Sequence, residues 1–303
     1  MTAKRIAGGA SRLTELGRVG VWLGSLSLAP AVEERAAAQE LESLGYGALW
    51  LGESHANREI FAHSATLLGW TERIVVATGI ASIWARDASA AANGASALAE
   101  AFPGRFVLTL GVSHAAIVSR RGHSYERPFT AMREYLDAMD GVRYGAPPPP
   151  EPAPRLIAAL APRMLRLAAE RTDGAHPYLV TPEHTAEARE ILGPSRLLAP
   201  EQGVVLVGDA ETARRLAREH LSIYLPLENY TRTWLRLGFG EADLEDGGSD
   251  RLVDGLVAWG DEDAIAECVQ AHLDAGADHV AVQAVGPDPL GQLRRLAPVL
   301  TAL

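Results

Sequence analysis

A 303-residue chain with a single cysteine can form neither an internal disulfide nor a thiolate cage for zinc. The lone thiol, Cys268, falls in a helical-looking stretch, Asp261 to Ala275, and is expected to be a buried, inert side chain. This cysteine usage suits a cytoplasmic protein. No run of about 20 uninterrupted apolar residues occurs, so no transmembrane helix is expected. Met1 to Gly17 lacks an apolar core segment, so it reads as a loose N-terminal extension rather than a secretory signal. Basic charge is scarce: 28 Lys and Arg stand against 38 Asp and Glu, a formal net charge of −10. No basic run is longer than two residues, as at Arg120-Arg121. Such a surface does not attract nucleic acid or anionic lipid, though it leaves room for a local site for one phosphorylated cofactor. No G-x-G-x-x-G or G-x-x-x-x-G-K-S/T motif is present, which disfavours Rossmann and P-loop readings. No G-x-S-x-G elbow supports a hydrolase pairing of Ser113 with His55 or His114. No His-x-x-x-His pair supports a metal site.

What is present is a regular alternation. Short, near-continuously apolar runs predict strands at Val19–Leu23, Ala48–Gly52, Ile74–Ile80, Phe106–Gly111, Arg155–Leu160, Ala175–Val180, Gly203–Val207 and His279–Ala284. Between them, amphipathic stretches predict helices at Pro30–Leu44, Ile60–Trp70, Ala88–Ala101, Pro162–Arg171, Pro182–Leu192 and Ala210–Leu221, with Leu290–Leu303 closing the chain. Eight strands, each followed by a helix, predict an α/β fold, a (β/α)₈ TIM barrel built as one domain over residues 1–303. Two long insertions interrupt it. Ser113–Pro154, after the fourth strand, holds a helix at Pro128–Met139 and a run of four prolines, 147–150. Ser222–Asp278, after the seventh, holds helical segments at Arg232–Leu237, Asp250–Trp259 and Asp261–Ala275. Insertions after strand ends belong at the C-terminal mouth of a barrel, where active sites form.

Several segments, in order, carry a resemblance. They are Trp50-Leu51-Gly52-Glu53-Ser54-His55, Ala77 through Asp87, Pro103-Gly104-Arg105-Phe106 through His114, Leu160-Ala161-Pro162-Arg163-Met164, Asp173 through Pro177, and Asp274 through Val280. Together these resemble luciferase-like monooxygenases, especially the coenzyme F420-dependent oxidoreductases among them, over roughly Gly17 to Leu303. The resemblance implies a homodimer and a hydride transfer between deazaflavin and a small organic substrate. FMN with O₂ is the alternative cofactor chemistry, and a barrel that has lost its cofactor is a further alternative.

The same resemblance suggests roles at the strand ends. Gly79, Ile80 and Ala81 would form a bulge with a non-prolyl cis bond at Gly79-Ile80, behind the cofactor ring. Gly111, Val112 and Ser113 would let the backbone approach that ring. His114 is the first candidate for proton partner. Glu53 and His55 are further catalytic candidates. Glu53 would orient His55, bind polar atoms of the ring, or be a loop carboxylate paired with Arg58 or Arg86. Leu160 and Ala161 lead into a helix N-terminus suited to a phosphate, with Arg163 as a charged donor. Some F420 enzymes have paired glycines where this chain has Leu160-Ala161. His176, Pro177 and Tyr178 would flank the cofactor tail, His176 being equally readable as a core histidine capped by backbone. Trp22, Trp84 and Tyr230 are candidates for an apolar substrate wall or for plain packing.

Overall fold

The computed structural model describes residues 16–303, so the expected extension lies almost wholly outside the described residues. The strands are β1 (Val19–Trp22), β2 (Ala48–Leu51), β3 (Val75–Thr78), β4 (Ala81–Ser82), β5 (Phe106–Gly111), β6 (Arg155–Ile157), β7 (Gly174–Ala175), β8 (Leu197–Leu198), β9 (Glu201–Val205), β10 (Val257–Trp259) and β11 (Val280–Ala284). Every ladder is parallel, as crossover helices require. β8 and β9 are one bent strand. Its lower part pairs with β7 and its upper part with β11, and β11 returns to β1. Backbone bonds from Ala199 N to Ala175 O and from Ala281 N to Pro200 O bridge the bend. The sheet therefore closes into the expected TIM barrel.

The helices are α1 (Ala31–Ser43), α2 (Ile60–Trp70), α3 (Ala88–Ala101), α4 (Ala115–Arg120), α5 (Pro128–Asp140), α6 (Pro162–Arg171), α7 (Pro182–Leu192), α8 (Ala210–Leu221), α9 (Glu228–Arg236), α10 (Asp250–Leu256), α11 (Glu262–Asp274) and α12 (Pro289–Leu300). Local chemistry sets many of their starts. Glu59, Asp87, Thr181, Asp209, Ser249, Asp261 and Asp288 each accept a first-turn N–H, and proline occupies the first turn of α5, α6, α7 and α12.

Alternation along the strands divides the core. Leu49, Leu51, Val76, Leu108, Leu110, Ile157 and Val282 face outward onto Leu41, Leu67, Met132, Leu165 and Leu293 of the helices. Ala48, Trp50, Val75, Ala77, Leu156, Ala199 and Ala281 fill the barrel interior. A separate cluster, including Leu179, Val205, Leu221, Tyr230, Trp234, Leu252 and Val257, lies where the second insertion meets β9.

Three expectations are corrected. The predicted strand 175–180 is only the short β7, because Leu179 adopts a left-handed φ of 52° and turns the chain toward α7. The predicted strand 203–207 begins six residues earlier, at Leu197; Pro200, Glu201 and Gln202 break its apolar run but keep its ladder. The predicted helix 250–259 ends at Leu256. Val257, Ala258 and Trp259 pair instead with Gly203, Val204 and Val205, along the β9 edge that β7 has left. A β-branched residue and an aromatic suit that pleated edge.

Candidate active site

The site rises in tiers from the barrel interior to its C-terminal mouth. In the lower tier Trp50 lies flat on His176, centroids 4.3 Å apart at 14°. The Trp50 Nε1–H donates to His279 Nε2 at 3.0 Å, and His279 Nδ1–H donates to Gly17 O at 2.9 Å. His176 Nδ1–H donates to Ala199 O at 2.6 Å. Burial holds both imidazoles neutral, with pKa values pushed down to about 4. Nε2 of His176 is therefore a bare acceptor, buried and unpaired; Nε1–H of Trp22 is a buried, unpaired donor. Each such atom costs about 1–3 kcal/mol when nothing meets it. The two converge on Gly79, where a Cβ would stand 2.8 Å from Trp22 Nε1 and 3.2 Å from His176 Nε2. Only glycine leaves that approach open.

The Gly79-Ile80 peptide is cis. The Ile80 side chain lies across Gly111, where a Cβ would come within 2.4 Å of Ile80 Cγ1. Gly111 thus makes room for Ile80, and the surface expected to meet a flat ring is covered by it. Ala81 pairs with Leu110 beyond the bulge. Val112 and the left-handed Ser113 carry the chain to His114.

The upper tier is aromatic. Trp22 packs on Tyr178 at 5.7 Å, Tyr178 on Tyr224 at 5.4 Å, Tyr224 on Tyr230 at 5.1 Å, and Tyr230 on His114 at 5.7 Å. Tyr178 O–H donates to Gln283 Oε1 at 2.7 Å, so Tyr224 O–H donates to Tyr178 Oη at 2.9 Å. Burial raises the pKa of all three phenols, that of Tyr224 to about 12. Burial lowers the pKa of His114, opposed by a hydrogen bond to the Asn229 side chain, so its imidazole is neutral at pH 7. His114, Trp22, Tyr178 and Tyr230, predicted from four separate stretches, are thereby brought together. Pro177 is buried beside them, and its carbonyl accepts the N–H of Glu201.

Other candidates lie elsewhere. Both oxygens of Glu53 hold Arg86, and one also accepts Ser82 N–H at 2.7 Å. No hydrogen bond joins Glu53 to His55; the exposed His55 meets Arg120 at 3.1 Å. Of the readings available for Glu53, the Arg86 pairing is the one formed. Both residues line a rim cavity of about 410 Å³ with Arg58, Arg86 and Arg121. Trp84 is not part of a wall with Trp22. Its Nε1–H donates to Val112 O at 2.9 Å, and its ring faces His123 and Tyr125.

Where the resemblance placed a phosphate, Ala161 is exposed and extended ahead of α6. The Leu160 carbonyl is pinned by His184 Nε2–H at 2.8 Å and Arg236 Nη2–H at 3.1 Å. Arg163 points away: its guanidinium stacks over Phe129 at 3.8 Å. The cation at this helix start is Arg236, which also pairs with Glu187. Sequence reasoning missed Arg236, Gln283, Tyr224 and Glu201. A charged residue abutting the apolar run Gly203–Val207 was the available signal for Glu201.

A family model described as luciferase-like monooxygenase matches residues 15–279. The chain is 29% identical to a 5,10-methylenetetrahydromethanopterin reductase of Methanolobus tindarius, over 45% of this chain and 47% of that protein. It thus spans about half the length of that relative. A solved F420-dependent secondary alcohol dehydrogenase, in complex with an F420-acetone adduct, superposes with a TM-score of 0.77 at 14% identity, covering 94% of this chain and 99% of that one. The oxygenating constituent of 3,6-diketocamphane monooxygenase from Pseudomonas putida, in complex with FMN, gives 0.67 at 16% identity, covering 94% and 97%. At these identities the structural likenesses establish the fold.

Proposed function

Since the chain belongs to the luciferase-like monooxygenase family, a family of oxidoreductases, we propose that it is an F420-dependent oxidoreductase acting on a small organic substrate at the barrel mouth. The observation that carries the reading is the unpaired Trp22 N–H and His176 Nε2 converging over Gly79. A buried donor and acceptor side by side, with no charge between them, match the edge of a neutral heteroaromatic ring. On this chemistry the residues present fit a deazaflavin.

When bound, the deazaflavin supplies hydride chemistry, and the protein supplies position and electrostatics. Trp22 and His176 would hold the ring edge. The Arg163 backbone N–H at the start of α6, where Pro162 has none and those of Met164 and Leu165 bond Ala161 O, would hold the phosphate with Arg236 beside it. Tyr178, Tyr224 and Tyr230 exclude water from the mouth. His114, neutral and steadied by Asn229, would hydrogen-bond the substrate oxygen and exchange a proton with it. The Ile80 side chain over Gly111 favours a second reading in which the barrel has lost its cofactor. Parallel titrations with F420 and FMN, followed by tryptophan quenching, test the proposal. Saturable binding of F420 alone supports it, binding of FMN alone makes the protein a flavin-dependent monooxygenase, and binding of neither leaves the cofactor-free barrel.

A further inference from the structure

Glu201 opens β9 on the inward face it shares with Ala199, and it is wholly buried. It has one hydrogen bond, from Leu179 N–H to Oε2 at 3.1 Å, while Oε1 has none. Among the described residues no ion pair reaches it. The titratable groups facing it are all phenols: Tyr178 after β7, Tyr224 after α8 and Tyr230 on α9. Val257 of β10 and Val285, just past β11, stand beside it around Gly203. A Cβ on Gly203 would stand 3.7 Å from Glu201 Oε1, from Val257 Cγ2 and from Val285 Cγ2. That is ordinary contact distance, so the unpaired oxygen borders space a methyl group could enter.

A carboxylate has no counter-charge here; a carboxylic acid needs none. Burial raises the Glu201 pKa to about 8, against the opposing Leu179 N–H, so the group keeps its proton at pH 7. An acid held neutral in a dry pocket is a hydrogen-bond donor at a pH where carboxylates only accept. Holding Leu179 in its left-handed turn takes one acceptor oxygen and leaves the second oxygen, with its proton, unexplained.

We propose that Glu201 is a ligand-contacting residue whose carboxylic O–H donates a hydrogen bond to a carbonyl oxygen of the ring or acceptor bound in the mouth. The assignment rests on the oxidoreductase reading above. The test is infrared difference spectroscopy on the full chain, with F420 and FMN as probes, for wild type, Glu201→Gln and Glu201→Leu. The wild type should show the C=O stretch of a protonated carboxyl that is lost in both variants and moves when the probe binds. Glu201→Gln, which keeps a neutral donor, should bind within about threefold of wild type at pH 7. Glu201→Leu should lose about tenfold, the worth of one hydrogen bond. Wild-type affinity should fall as the pH passes 8, and that of Glu201→Gln should stay level. Binding with an unmoved carboxyl band, or equal affinities in all three proteins, overturns the role of Glu201 alone. Failure of both probes to bind overturns the oxidoreductase reading and this assignment together.

Discussion

Replacing Glu201 by Gln removes a titration while keeping the shape and the acceptor for Leu179 N–H, and the consequence for stability has a definite sign. The folded pKa is raised from 4.5 to about 8. Between those values the folded chain holds a proton that the unfolded chain has released, so stability falls with rising pH. The contribution is fully present below pH 4.5 and gone above 8. The gap is worth about 4–5 kcal/mol at pH 8. Glutamine has no such term. The variant should therefore match wild type within about 1 kcal/mol near pH 4.5, where only one buried N–H group differs in kind. At pH 8 it should be the more stable by about 4 kcal/mol, or about 6 °C in melting temperature for a chain of this length. Melting both proteins from pH 4.5 to 8.5 is the assay. Parallel curves across that range would mean that Glu201 is ionised in the fold, and the reasoning about a neutral inner wall would fail with it.

The acid limb has the opposite sign. His176, His220, His272 and His279 are lowered from 6.5 to about 4 by burial, so their stabilising contribution is present above pH 6.5 and lost as pH falls toward 4. Stability should drop over that window, and His279→Gln should flatten the drop; an unchanged slope would place the His279 proton elsewhere. Glu53→Ala leaves the Arg86 guanidinium and the Ser82 N–H without their shared partner, a loss of about 3 kcal/mol in a denaturant titration; a fully stable but inactive variant would instead return Glu53 to the chemistry. Gly79→Ala puts a methyl 2.8 Å from Trp22 Nε1 and should cost about 1–3 kcal/mol in stability together with cofactor binding; unaltered probe affinity would remove Gly79 from the site. Tyr224→Phe deletes the donor to Tyr178 and should loosen the mouth by about 1 kcal/mol, read in stopped flow as faster probe association.

By itself the sequence determined the barrel. Pattern rules read neighbours along the chain, and α2, α3, β5, α6, α7 and α8 begin and end where local periodicity and capping place them. The Gly79-Ile80 bulge was legible through resemblance. Tertiary structure decided what depends on partners distant in sequence. Val257–Trp259 is a strand because β9 offers a free edge, a fact absent from residues 250–259 themselves. Glu53 is bound by Arg86, and Arg163 lies on Phe129 where a phosphate contact was expected, because each side chain took the nearest partner the packed chain presented. Glu201 reads as a polar end to an apolar run; its burial, its lack of a cation and hence its proton follow only when β9, β10 and three tyrosines close around it. Periodicity is a local property of the chain, whereas desolvation and pairing are properties of the space that the folded chain encloses.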